Sequence, residues 1–211
     1  MGKQLIAAVT GAVTLAMATT AAPAQEPANA ELDAARAFVL SALPGQCDAD
    51  PAFGDSMAYP VSWRPGWAEA DTPDSHGTLY KVFCFAGAYN LIDAYVFKGD
   101  DETFSLIGFA EPVYTVEYAE GDETQTELKA PPAVTGFSAT LTLVNSEFDP
   151  KTNTISSLSS WRGLGDAWAA GSWVFREGQF VLSRYAIDPI YEANLDNATD
   201  AQRDTAFEIY P

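Results

Sequence analysis

The sequence predicts a mainly β protein: an antiparallel meander that forms a sandwich or a barrel-like sheet, with one N-terminal helix packed on it. From residue 78 onward, short runs rich in aromatic and β-branched residues alternate with turns of Gly, Asp, Asn and Pro. Before them, residues 31–43 carry apolar side chains at three- and four-residue steps, the spacing of one helix face. With 211 residues, 47% hydrophobic and 12% aromatic, the chain can bury one sizeable core.

Turn residues bound the predicted elements. The helix begins with acidic residues, which suit a helix N-terminus, and ends at Pro44-Gly45. An irregular segment rich in Pro, Gly, Asp and Ser follows over residues 47–77, and residues 176–178 are short enough to link two strands of a hairpin. Thr199 and Gln202 predict a capping box in the tail. The predicted strands are residues 78–85, 91–98, 103–109, 113–118, 125–129, 139–144, 154–161, 168–175 and 179–187.

Residues 1–24 have the pattern of a secretory signal peptide. Lys3 provides a short positive region, residues 5–17 are apolar, and Ala-Pro-Ala at residues 22–24 fits the small-x-small cleavage rule. The apolar stretch is too short to span a bilayer as a helix. Cleavage would leave Gln25 at the new N-terminus, so we expect no lipoprotein anchor and no membrane anchor of another kind.

After the signal peptide, we expect a flexible polar tether over residues 25–30 and a single β-rich domain over residues 31–211. Pro131-Pro132 breaks the weak strand before it, so a division into two subdomains at this point is the alternative. The expected location is a bacterial periplasm or the medium outside the cell.

The charge of the chain excludes two classes of partner. Against 29 Asp and Glu stand 11 Lys and Arg, which gives a formal net charge of −18. Nucleic-acid phosphates and anionic lipid headgroups both require a basic surface. We therefore expect a protein or a glycan as the ligand, and neither nucleic acid nor a membrane surface.

Cys47 and Cys84 are the two cysteines of the chain. In an oxidising compartment such a pair is expected to form a structural disulfide, here between the end of the helix and the first predicted strand. A redox-active or nucleophilic cysteine would call for a C-x-x-C spacing or a nearby histidine, and the sequence has neither.

Two segments resemble a known family. Residues 84–90, Cys-Phe-Ala-Gly-Ala-Tyr-Asn, resemble the C-x-x-G-A-Y-N segment of the secreted bacterial family called domain of unknown function 1176. Residues 162–182, from Arg-Gly-Leu-Gly-Asp to Phe-Val-Leu, resemble its R-G-x-G-D-C-G…W-x-W-x-G-x-x-F-x-L block. The resemblance covers about residues 78–190. It implies an exported β-rich protein and supplies neither an activity nor a catalytic residue.

This chain departs from the family pattern at two cysteines. Ala167 stands where the family has the cysteine after R-G-x-G-D, and a later family cysteine has no counterpart near Ile190. The joint loss fits a missing second disulfide.

Arg162, Gly163, Gly165 and Asp166 form the most distinctive local pattern. The glycines permit backbone angles that other residues avoid, and Arg162 could bridge to Asp166 across the turn. Phosphate-binding loops open a helix, whereas this segment leads into a predicted strand, so we exclude that role. A structural turn is favoured over a contact with a ligand or partner.

Trp63, Trp67 and Trp168 are the candidate aromatic contacts. The first two flank Arg-Pro-Gly in the irregular segment. Trp168 and Trp173 are separated by an odd number of residues, so on a regular strand they face opposite sides. We favour rings that cover a second layer, such as the helix, over rings that stack on a sugar or a partner.

Other site types find little support. His76, in Asp-Ser-His-Gly, is interpreted as a surface-turn histidine, because adjacent residues cannot readily form a triad and no G-x-S-x-G is present. Residues 48–50 and 149–153 are oxygen-rich turns without a complete calcium loop. Acidic turns at residues 100–102 and 120–123 are most simply solvated loop tips. We assign no metal ligand and no cofactor, and leave calcium open.

Two functions of different classes remain. The first is an exported, non-catalytic β-rich envelope protein that binds another protein, a glycan or a cell-wall fragment. The second is an exported glycan hydrolase that uses paired carboxylates. A pocket that gathers two carboxylates beside an exposed tryptophan would favour the hydrolase, whereas a flat sheet with buried tryptophans would count against it.

Overall fold

The computed structural model describes residues 27–48, 54–203 and 205–211. The predicted signal peptide lies outside these residues. In chain order the elements are α1 (Pro27–Ala42), β1 (Met57–Trp63), β2 (Ser75–Ala86), β3 (Leu91–Lys98), β4 (Phe104–Leu106), β5 (Phe109–Tyr118), β6 (Leu128–Thr140), β7 (Thr142–Val144), β8 (Glu147–Asp149), β9 (Thr154–Ser160), β10 (Trp168–Arg176), β11 (Gln179–Asp188), a 3-10 turn (Glu192–Asn194), α2 (Asp200–Arg203) and β12 (Phe207–Tyr210).

In the described chain, two five-stranded antiparallel sheets enclose the main core. Sheet A has the order β1-β2-β3-β4, and β7 pairs with the part of β3 that β4 leaves free. Sheet B has the order β12-β11-β10-β9-β8, and β5 and β6 form a separate two-stranded ribbon. Side chains from both sheets and the ribbon form one apolar cluster, with Trp173 and Phe109 among its most buried rings. The predicted mainly β, antiparallel fold is confirmed, and the described strands form an open sandwich.

Helix α1 packs on the outer face of sheet A, as predicted. Its Ala35 and Val39 are fully buried against Tyr80, Val82 and other side chains of that face. The helix begins at Pro27, where proline suits the first helical position, so residues 27–30 are helical and the predicted tether is too long. None of the described helices is long and apolar enough to cross a membrane.

Strand β1 lies within the segment that the sequence predicted to be irregular. Its ladder pairs Met57–Trp63 antiparallel with β2, at the edge of sheet A. An edge strand tolerates Pro60 because one side of its backbone makes no ladder bonds. Every second side chain of β1, at Tyr59, Val61 and Trp63, contacts the main core. The proline and the loop residues around the strand made this alternation hard to recognise in the sequence.

The ribbon also differs from the prediction. Strand β6 runs through Pro131-Pro132 instead of ending there, because the two prolines fall at an irregularity of the ladder, between the pairs Glu117–Ala130 and Thr115–Ala133. At a bulge the missing N–H groups cost no ladder bond. The strand predicted at residues 103–109 is divided between β4 and the start of β5, and the strand predicted at residues 139–144 between the end of β6 and β7.

The predicted disulfide between Cys47 and Cys84 is present. It joins the chain just after α1 to β2, the second strand, because β1 precedes it. The N–H of Asp48 also donates to the carbonyl of Cys84 at 3.1 Å. Both cysteines are buried in the cluster under the helix, so the bridge fixes the helix against sheet A.

A polar network lies between the sheets. Nζ of Lys81 is 3.2 Å from Oδ2 of Asp93, and the same carboxylate oxygen accepts the hydroxyl of Ser146 at 2.8 Å. The hydroxyl of Tyr95 donates to Ser146 at 2.9 Å. Burial raises the pKa of Asp93, and the Lys81 ammonium and the Ser146 hydroxyl oppose the shift. Because the members satisfy one another, the network tolerates burial and joins β2 and β3 to the segment before β8.

We expect the Cys47→Ser/Cys84→Ser double variant to fold with a free energy of unfolding lower by up to about 4 kcal/mol, since the bridge restricts the unfolded chain. Chemical denaturation of the wild type with and without reductant measures the difference, and the variant should be indifferent to reductant. The intact mass of the unreduced wild type should be lower than that of its reduced form by two hydrogens. Two free thiols in the native protein would contradict the assignment.

Candidate functional site

A cleft of about 520 Å³ opens where turns from the two sheets meet. The β3–β4 turn forms one side and the β10–β11 turn forms the other. We call it the hairpin cleft, and the lining residues that matter below are Trp63, Phe97, Asp100, Asp101, Ser105 and Gln179.

Aromatic rings form the inner wall of the hairpin cleft. The ring centroid of Trp63 lies 5.8 Å from that of Phe97 and 5.2 Å from that of Phe175. A Cβ on Gly77 would lie 2.3 Å from the Phe97 ring, so the ring rests on a strand position that has no space for a side chain. Trp63 is half-buried, with part of its surface facing the cleft.

The β10–β11 turn brings Gln179 to the hairpin cleft. Glu177 has φ 51° and Gly178 has φ 86°, the left-handed angles of a two-residue hairpin turn. Arg176 pairs with Gln179 in the ladder, so the link is one residue shorter than predicted. The side chain of Gln179 is exposed at the cleft.

The two aspartates of the β3–β4 turn differ in their environment. Asp101 accepts the backbone N–H of Thr103 at 3.1 Å and its hydroxyl at 2.6 Å, and these bonds lower the pKa of Asp101. Asp100 is exposed and makes no hydrogen bond or ion pair with the described part of the chain. The cleft therefore gathers two carboxylates beside a half-buried tryptophan, which is close to the arrangement that would favour the hydrolase.

On the opposite side of the same turn, Lys98 binds two carboxylates. Its Nζ is 3.0 Å from Oε1 of Glu31 in α1, and it also contacts Glu102. Hydrogen bonds with Glu102 and Glu31 raise the pKa of Lys98. Asp100 and Gly99 line both this region and the hairpin cleft.

The predicted turn around Arg162 is an ion-paired corner between β9 and β10. Nε of Arg162 donates to Oδ1 of Asp166 at 2.7 Å, and a second guanidinium nitrogen binds Oδ2. The guanidinium also donates to Asn194 at 2.8 Å and lies 4.8 Å from the ring centroid of Tyr191. The ion pair, together with the N–H of Ala193, holds the pKa of the buried Asp166 below its usual range.

This corner joins the two segments that carry the family resemblance. A Cβ on Gly163 would lie 3.2 Å from the ring of Tyr89, and Gly165 has φ 71°. The side chain of Asn90 donates to the carbonyl of Ser160 at 3.0 Å, and the side chain of Asn145 donates to that of Asn90 at 2.9 Å. These contacts join the β9–β10 corner of sheet B to the β2–β3 turn of sheet A, as expected of a structural turn. The predicted bridge between Arg162 and Asp166 is present.

The other predicted residues are scattered. Trp67 is 76% exposed in a loop, and Trp168 is half-buried on the face of β10 opposite to Trp173. His76 is exposed on strand β2 and does not lie in a turn, because the strand begins at Ser75. The structure thus brings Trp63 to the hairpin cleft and leaves the other two candidate tryptophans elsewhere.

The oxygen-rich turns do not converge on a metal site in the described residues. Asp149 accepts the N–H of Lys151 and the hydroxyl of Thr152, as turn aspartates commonly do. Of residues 48–50, the last two lie outside the described chain. No group of three or more His, Cys, Asp or Glu side chains suited to a metal ion occurs within the described ranges.

Sequence reasoning missed Gln179 and treated Asp100 as a solvated loop tip. Nothing local to either residue indicates a cleft, because the cleft arises when hairpins about 80 residues apart in the chain meet across the sandwich. The sequence did indicate Trp63, an aromatic residue beside turn residues, as a candidate contact.

One family model matches residues 2–194 of the chain, and its description reads "Protein of unknown function (DUF1176)". No curated protein and no solved structure gives a significant match. The match supports the resemblance seen in the sequence and extends it toward the N-terminus.

We expect Arg162→Met to lower the free energy of unfolding by about 2 kcal/mol, because it leaves the carboxylate of Asp166, whose side chain is 5% exposed, without its cation. Lys129→Met is the matched control, since its ion pair with Glu117 is exposed and should contribute less than about 1 kcal/mol. Urea denaturation measures both.

The pH dependence provides a second check on the same pair. The pKa of Asp166 is lowered by folding, so its contribution to stability is present above its unfolded pKa and is lost as the pH falls through the folded pKa. The stability difference between wild type and Arg162→Met should therefore shrink in acid. A constant difference across this range would contradict the role of the ion pair.

Proposed function

Since the chain belongs to the DUF1176 family of proteins of unknown function, whose description assigns no activity, we propose that it is an exported, non-catalytic binding module that holds a glycan in the hairpin cleft. The observation that carries this proposal is the pairing of an aromatic wall at Trp63 with polar side chains at the rim that make no hydrogen bond within the described chain.

The cleft has the size and the chemistry of a small-ligand site. Its volume of about 520 Å³ lies within the range of such sites, which combine apolar walls with a few polar groups. The half-buried ring of Trp63 lines the cleft and provides an aromatic surface for the apolar face of a sugar. The carboxylate of Asp100, the hydroxyl of Ser105 and the amide of Gln179 can exchange hydrogen bonds with sugar hydroxyls.

Export is supported by the Cys47–Cys84 bridge, because disulfides persist mainly in oxidising compartments. The signal-peptide pattern of residues 1–24 supports the same location. We propose the bacterial periplasm or the external medium, where cell-wall fragments and other glycans are present.

The hydrolase is the second candidate because the cleft contains two carboxylates. Glycoside hydrolysis needs one carboxyl group that keeps its proton near neutral pH and a second that stays ionised. The hydrogen bonds from Thr103 lower the pKa of Asp101, so this residue does not suit the role of the proton donor. Both of its carboxylate oxygens already accept hydrogen bonds from Thr103. Binding without hydrolysis therefore fits the geometry better.

We expect oligosaccharides of N-acetylglucosamine type, as found in bacterial walls, to bind the wild type and to change its tryptophan fluorescence. Trp63→Leu should weaken binding by about tenfold or more, as loss of a central aromatic contact commonly does. Trp67→Leu, at a ring that is 76% exposed and is not part of the cleft lining, is the matched control and should bind as the wild type does. Isothermal titration calorimetry gives the affinities.

Melting curves show whether Trp63→Leu is folded, because the ring also packs on the main core. Equal affinity of a folded Trp63→Leu and the wild type would place the binding site elsewhere. Release of shortened oligosaccharides by the wild type, detected by mass spectrometry and lost in Asp100→Asn, would favour the hydrolase instead.

A further inference from the structure

Resting on the proposed binding function, we infer that the hairpin cleft selects a ligand that carries a positive charge, and that the chemical class is an amino sugar with a free ammonium group. The inference comes from the distribution of charge around the β3–β4 turn, together with the ring of Trp63 in the same cleft.

The turn carries consecutive acidic side chains, and among the described residues a cation of the protein lies only on its helix side. Lys98 neutralises Glu102 and Glu31 on the helix side of sheet A. On the cleft side, the lining residues include Asp100 and Asp101 and no Lys, Arg or His among those described. Asp101 obtains hydrogen bonds from Thr103 and pairs with no cation in the described part of the chain.

Asp100 is the group that a ligand cation would meet. Its carboxylate has no hydrogen bond or ion pair with the described chain, although it lines the cleft. An ammonium group there would gain a charge-assisted hydrogen bond. The charge of the whole chain, −18, adds a long-range attraction for cations.

The aromatic wall favours the same chemistry. The face of an indole ring attracts a cation through its quadrupole, and Trp is the strongest of the aromatic residues in this respect. A sugar ring placed against Trp63, with its amino group toward Asp100, would use the wall and the carboxylate at once. A neutral N-acetylated sugar would use the wall and uncharged hydrogen bonds but no charge pair, and an anionic sugar would be repelled by Asp100.

The test compares two oligosaccharides of equal length that differ only in the charge of the amino group: glucosamine oligomers and N-acetylglucosamine oligomers. Titration calorimetry is done at low salt and at a slightly acidic pH that keeps the free amine protonated. We expect the wild type to bind the glucosamine oligomer about threefold to tenfold more tightly. Added salt should reduce this preference.

Asp100→Asn should bring the ratio of the two affinities close to one, because the amide carries no charge to distinguish the free amine from the N-acetyl group. Glu120→Gln, which removes one charge from the exposed β5–β6 turn, is the matched control and should keep the preference. If both variants lost the preference for the glucosamine oligomer to the same extent, the net charge of the protein alone would explain it, and the inference would be wrong.

The outcomes separate this inference from the proposed function. If the wild type binds both oligomers equally and Trp63→Leu weakens both, the cleft binds glycans without selecting a charge, and the inference is wrong while the function stands. If the wild type binds neither oligomer, both the function and the inference are wrong. If Asp100→Asn retains the preference, the selectivity arises elsewhere and the inference is again wrong.

Discussion

The burial of both faces of sheet A is the constraint on which the rest of the fold depends. Strands β2 and β3 contact sheet B on one face and helix α1 on the other, so both faces need apolar side chains. Tyr80, Val82 and Cys84 point to the helix, and Leu79 and Tyr95 belong to the main core. One helix covers the outer face, and the disulfide holds it there. Without that cover, a row of apolar side chains would face water.

Much of this architecture could be predicted from local pattern. The helix and the strands at the centre of each sheet show clear hydrophobic periodicity. The predicted bounds of these strands agree closely with those observed, whereas the helix begins at Pro27, earlier than predicted. The errors fall on peripheral strands. Pro60 in β1 and Pro131-Pro132 in β6 look like strand breakers, yet each lies where the backbone needs no ladder partner. Strand β12 was missed because only Phe207–Tyr210 form it, and its pairing with β11 is long-range.

The candidate site was less predictable than the fold. The residues of the corner, Arg162 to Asp166, were found because their chemistry is concentrated in five consecutive positions. The hairpin cleft instead takes single residues from separate turns, and no short segment contains its pattern. The two regions have different roles: the corner satisfies its charged groups internally, whereas Asp100 and Gln179 present theirs to the cleft. Satisfied groups stabilise a fold, and unsatisfied ones are available to a ligand.

Pro131-Pro132 has a further consequence for the behaviour of the protein at high concentration. Strand β6 pairs only with β5 among the described strands, so its other edge makes no ladder bond within the described chain. An open edge is the usual starting point of aggregation, and two successive residues without N–H groups interrupt it as a template. The two prolines, which made β6 difficult to predict, therefore also help to prevent the ribbon from pairing edge to edge with a second molecule.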